Sequence, residues 1–183
     1  MVLGLSIGTF TVIHVIISLI GIVAGVPVLA GLLKSESRPG WTALFLVTTI
    51  LTSVTGFMFP FSGLTPALVV GGISLVILSM TLLALYAFRL MNAWRWVYVV
   101  TALAAFYFNC FVLVVQLFQK VPFLRALAPT QSEAPFAVAQ AIVLIIFLGL
   151  GFLAVRRFHP PAMARKLSEG SDAGIHLGPH PSA

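Results

Sequence analysis

The side chains able to do chemistry inside the apolar runs of this sequence are few, and they fall in separate runs. An imidazole, His14, stands in FTVIHVIISLIGIVAG (10–25); two carboxamides, Asn109 and Gln140, stand in later runs; and a band of threonines closes at Thr55. An imidazole can donate, accept or ligate, and a carboxamide donates and accepts at once. Gathered in one place, His14, Thr55, Asn109 and Gln140 have the groups to hold the polar end of a small ligand such as a quinone, a lipid headgroup or a haem. An ionisable group in hydrocarbon is costly and tends to mark a pathway or a ligand. The competing reading is plain hydrogen bonding between helices, at ~0.6 kcal/mol per contact.

Other chemistries are excluded by what the runs lack. The four acids, Glu36, Glu133, Glu169 and Asp172, all lie in loops or the tail, so no carboxylate is placed for a proton- or cation-driven pump. A haem held by two histidines needs a second imidazole facing the first, and His14 is the only one in an apolar run. His176 and His180 are four apart, but Gly178 and Pro179 between them break the helix that a metal pair at that spacing requires. There is no nucleophile motif or phosphate loop, and the single Cys110 allows no intrachain disulfide. The sequence thus predicts no enzyme, no catalytic residue and no metal site, and leaves any cofactor unspecified.

The elements that position these residues follow from composition. Charged residues are 8% and apolar residues 60% of 183, with a mean hydropathy of +1.13, far from the soluble range of about 25% charged. Between Arg38 and Arg89 there is no Lys, Arg, Asp or Glu, a stretch much longer than the ~20 residues of one crossing. Apolar runs and turn signals predict five transmembrane helices at 5–33, 41–61, 66–90, 94–118 and 135–155. The first run lacks a basic n-region and exceeds the length of a signal peptide, so it is expected to be a retained helix. Ser132 is placed to cap the last helix. VPFLRAL, in the loop before it, suits a short interfacial turn.

Charge sets an orientation. Lys34, Arg38, Arg89, Arg95, Arg156, Arg157, Arg165 and Lys166 collect on one side, and only Lys120 and Arg125 on the other. By the positive-inside rule the N-terminus is outside and the C-terminus cytoplasmic, with Trp41, Trp94 and Trp96 at the inner interface. The net charge of +6 is thereby explained by topology, without nucleic acid as a partner.

Each predicted helix has one seam of small or polar residues suited to close packing. In the first helix Gly4, Gly8, Thr11, His14, Ser18, Gly21 and Gly25 share an arc of about 140°. The second offers Thr48, Thr49, Thr52, Ser53, Thr55 and Gly56; the third Gly72, Ser79 and Tyr86; the fourth Tyr98, Ala102, Ala105, Asn109 and Gln116; the fifth Ala137, Gln140 and Gly151. Counting residues from the predicted outer ends puts Thr55 and Gln140 roughly 8 Å deep, His14 about 8–10 Å and Asn109 roughly 14 Å. All four then share the outer half.

The segment HVIISLIGIVAG (14–25) followed by PGWTALFLVTTILTSVTGF (39–57) resembles small multi-span bacterial membrane proteins known only as domains of unknown function. In these a histidine-bearing first helix with spaced glycines precedes a short basic turn and a helix ending in a Thr/Gly pattern. The resemblance covers about the first third of the chain. It implies haem binding or assistance to respiratory complexes, and no activity. The sequence departs from it at Arg38-Pro39-Gly40-Trp41, where some such families carry a further histidine.

The expectation is therefore an all-α helix bundle over 1–158 in a bacterial cytoplasmic membrane, with 159–183 a disordered cytoplasmic tail. Its expected role is structural or accessory, with the lipid bilayer around it and a second copy or a membrane-complex partner against its small-residue faces. The alternative is a binding module with the ligand in the outer half.

Overall fold

The computed structural model describes residues 2, 4–60, 63 and 66–159, with the backbone alone at 66 and 67. The expected tail beyond His159, including Arg165, Lys166, His176 and His180, lies outside the described residues, as does Phe61 at the end of the second expected span.

The described chain is all-helical: α1 (Ile7–Lys34), α2 (Pro39–Gly56), α3 (Pro66–Leu82) running into a π-helical turn (Leu83–Ala87), α4 (Trp94–Lys120), the short α5 (Pro122–Leu127) and α6 (Ala134–Arg157). Four of these segments are long and apolar enough to cross a bilayer, namely α1, 68–87 of α3 with its π turn, α4 and α6. They fit a membrane-embedded multi-pass protein. The 18-residue α2 is less apolar because it carries five threonines and Ser53.

Local chemistry explains the boundaries. Ser6 caps α1, its Oγ accepting the Thr9 N–H at 3.1 Å, and the helix stops at Ser35, which takes left-handed φ of 59°. Pro39 and Pro135 sit in the first turns of α2 and α6, where a missing N–H costs little. Ser132 is not the cap of α6. Glu133 holds that position, and its carboxylate turns back to accept the N–H groups of Thr130 and Ser132, both at 3.1 Å. The third helix also ends earlier than expected. After the π turn the chain unwinds through left-handed Arg89, Leu90 and Asn92, and Phe88 stacks on Trp94 at 3.8 Å between ring centroids.

The helices α1 and α2 form an antiparallel hairpin, and α2 lies between α1 and α3; α4 touches α1, α3 and α6. Packing is tight toward the α1–α2 turn, where Ala24, Val28, Leu32, Phe45, Val99, Ala102 and Phe106 form the core. Toward the other end of α1, Phe10 is its only buried residue before Gly21. The glycines of the first seam divide accordingly. Gly21 and Gly25 are buried, whereas Gly8 faces open space apart from its own Ser6. A methyl group at Gly25 would stand 2.6 Å from the Phe106 ring, so α4 packs where no side chain fits. In α3 the buried face is Ser74, Leu78 and Thr81, while Ser79 and Tyr86 of the expected seam are exposed. Gln116 of α4 and Ala137 of α6 are exposed as well.

The polarity of α2 is reversed relative to a helix in water. Its buried side holds Thr42, Thr48, Thr49 and Ser53 together with Phe45 and Leu46, and its exposed stripe is wholly apolar, Trp41, Leu44, Val47, Leu51 and Val54. Only an apolar surrounding makes that arrangement favourable.

Packing at Gly25 yields a first prediction. Gly25→Val should lower stability by about 1–3 kcal/mol through overpacking, seen as an earlier thermal transition of the detergent-purified protein. Gly149→Val, at a position with nothing within 4 Å, should leave the transition unchanged.

Candidate functional site

Most hydroxyls in the helices bond their own helix. Thr11, Ser18, Thr48, Ser53, Thr55, Ser79, Thr81 and Thr101 each donate to the carbonyl four residues back, at 2.6–3.0 Å. The proton is thus used locally, and the oxygen lone pairs remain for a donor from another helix.

His14 meets such an acceptor. Its Nδ1 lies 2.8 Å from Thr55 Oγ1. With the Thr55 hydroxyl donating to the Leu51 carbonyl at 2.6 Å the ring is the donor, in the Nδ1–H form, and Nε2 has no partner among the described residues. Phe59 closes one side of the ring edge-on, with centroids 5.3 Å apart at 90°, and Phe59 in turn packs on Phe10 at 5.0 Å. Gly56 lies close to the ring, where a methyl would be in ordinary contact with His14 Cε1 at 3.9 Å.

Asn109 and Gln140 do not join this pair. The Asn109 Nδ2 amide donates to Thr49 Oγ1 at 3.0 Å, where Gly21 lets three helices meet: a methyl at Gly21 would lie 3.1, 3.4 and 3.6 Å from Thr48 Oγ1, Thr49 Oγ1 and Asn109 Nδ2. The Gln140 Nε2 amide donates to the Phe111 carbonyl at 3.2 Å, which ties α6 to α4. The expected cluster of four is therefore three separate contacts. Depth counting placed the four at similar levels, but it carries no rotational register. Thr49 and Thr55 are six residues apart, which at ~100° per residue turns them about 120° from each other. Among the described residues two buried side-chain oxygens have no partner, Thr52 Oγ1 and Gln140 Oε1.

At the opposite end of α2 three contacts join helix ends that sequence reasoning did not pair. Arg95 Nη1 donates to the Phe158 carbonyl at the end of α6, the His159 N–H donates to Ser35 Oγ at 2.6 Å, and the Tyr98 and Phe158 rings lie 5.8 Å apart. An arginine and a serine next to span ends are ordinary features of a sequence, so nothing there announces that one stitches α6 to α4 and the other to the α1–α2 turn.

Chemically, the interior is a set of pairwise hydrogen bonds. Among the described residues no three His, Cys, Asp or Glu side chains come together to hold a metal ion. Besides the unpartnered Thr52 Oγ1 and Gln140 Oε1, His14 Nε2 is a nitrogen with free capacity to accept a proton donor or to ligate. No protein-family model, curated protein or solved structure matches the chain.

A double-mutant cycle with His14→Leu and Thr55→Val measures the first of these contacts. The expected coupling is about 0.6 kcal/mol and at most ~1.7 kcal/mol, read from unfolding in detergent; strictly additive losses would mean that the bond contributes nothing.

Proposed function

We propose that the chain is a five-pass protein of a bacterial cytoplasmic membrane, with the N-terminus outside, the basic helix ends in the cytoplasm, and a structural or accessory role without catalysis of its own. The observation that carries the reading is the outward face of α2, a stripe from Trp41 to Val54 that is apolar while most of its hydroxyls are turned inward beside buried Phe45 and Leu46. Its course supports a crossing too. It begins beside the end of α1, and its far end, at Thr55 and Phe59, meets the start of α1 at His14 and Phe10. It thus runs alongside α1 from its end back to His14, along most of a helix that is itself long enough to span.

The accessory role is supported by how the polar groups are used. His14, Asn109 and Gln140 each bond a group on a neighbouring helix, which is what assembly requires and what a reaction does not. A second copy or a membrane partner would find the remaining small residues, Gly8 and Gly149, uncovered by the chain itself.

A second reading rests on the unpartnered Nε2 of His14. With Phe59 edge-on to the ring, this nitrogen can accept a hydrogen bond from, or ligate, a small molecule such as a quinol, a lipid headgroup or a haem.

Reporter fusions test the topology. Fusions after Ser37 and Met91 should report cytoplasm, and fusions after Gly63 and Thr130 the outside; equal reports at Ser37 and Gly63 would mean that α2 does not cross. For the second reading, a visible spectrum and mass analysis of purified protein should reveal a bound molecule that His14→Gln removes; a wild-type protein carrying nothing would leave the accessory role alone.

A further inference from the structure

Where α1 ends, α2 and α4 begin, the π turn closes and α6 stops, the helix ends enclose a crevice of about 130 Å³. Its walls are largely apolar, but Arg38 and Glu36 line it together with the hydroxyl-bearing Ser37, Thr42, Tyr86 and Tyr98, Tyr98 being hydrogen-bonded to Thr42. The local backbone is specialised for this. The π turn and left-handed Leu90 displace the end of the third helix so that Leu85, Tyr86 and Leu90 all reach the crevice, and π turns are frequent at functional sites.

The electrostatics select the sign of a ligand. Lys34, Arg38, Arg89, Arg95, Arg156 and Arg157 lie at this end of the described helices, against the single acid Glu36. Glu36 already behaves as a bound oxyanion. One of its oxygens takes both Nε and Nη2 of Arg38, at 3.2 and 2.7 Å, and this hydrogen bonding holds the carboxyl below its usual range. Nη1 of Arg38 has no partner among the described residues. A planar guanidinium with spare donors, hydroxyls on the adjoining wall and little room is the donor set of a tetrahedral oxyanion.

We propose that this crevice binds a phosphate monoester, with Arg38 as the charged anchor, the hydroxyls of Thr42, Tyr86 and Tyr98 completing the site, and Glu36 occupying the anchor in the ligand's absence. The phosphate comes either from a lipid such as phosphatidic acid or from a soluble ester. The proposal takes from the membrane reading only that this end meets a lipid surface, and the soluble arm of its test does not need that.

Full-length protein in detergent is titrated with phosphatidic acid, with diacylglycerol of the same chains, and with inorganic phosphate as competitor. Phosphatidic acid should bind more tightly than diacylglycerol. Arg38→Gln should weaken it about tenfold or more, Glu36→Gln should tighten it, and Arg125→Gln at the far end should change nothing. Thr42→Val should weaken it too, and serves should Arg38→Gln fail to fold. Competition by inorganic phosphate identifies a soluble source, and its failure to compete identifies the lipid. Equal binding of the two lipids, or undiminished binding by folded Arg38→Gln or Thr42→Val, would overturn the proposal; topology fusions that disagree with a crossing by α2 would overturn only the membrane reading.

Discussion

If α2 crosses the bilayer as proposed, a polar group on it that loses its partner has no water to turn to, and that constraint bears on everything packed against it. Five threonines and a serine in eighteen residues would make a poor membrane helix if they faced lipid. Thr48, Ser53 and Thr55 bond their own backbone and present lone pairs to the neighbours. Other helices reach this surface too: Asn109 on α4 donates to Thr49, and His14 on α1 pairs with Thr55. The donors can arrive only if the backbones are close, and buried Gly21 permits that approach.

The two ends of the molecule differ as a result. At the basic end the core is dense, and Ser35, Arg95 and Phe158 tie helix ends to one another. At the other end α1 is mostly exposed, and His14 is held by a hydrogen bond and the Phe59 ring, itself packed on Phe10, rather than by a core. A rigid, charged end with a crevice and a looser end with an accessible imidazole are two different settings for a ligand. The first favours an oxyanion, the second a neutral donor or a metal-bearing group.

Much of this architecture is legible in residue order. Apolar runs and proline–glycine breaks mark the helices within a few residues, because both act locally. The first seam is legible in part: Gly21 and Gly25 meet α2 and α4, while Gly8 meets nothing. Rotational register is the part that does not show. Ser79 and Tyr86 recur at seven as convincingly as Ser74 and Thr81, and only contact with the neighbours decides that the latter pair is buried. The partner of Asn109 was hidden for the same reason. The π turn was hidden for another, since 66–90 reads as one uninterrupted apolar run and the extra residue in its last turn leaves no compositional mark.

Spin labels placed along α2 in lipid vesicles measure the central claim most directly, through their collisions with oxygen, which partitions into hydrocarbon, and with a water-soluble nickel chelate. Labels at Val47, Leu51 and Val54 should collide often with oxygen and rarely with nickel, and a label at Thr49 rarely with either. Frequent nickel collisions at Val47 and Leu51 would show that this stripe faces water, and the account of α2 as an inward-turned hydroxylic helix would be contradicted.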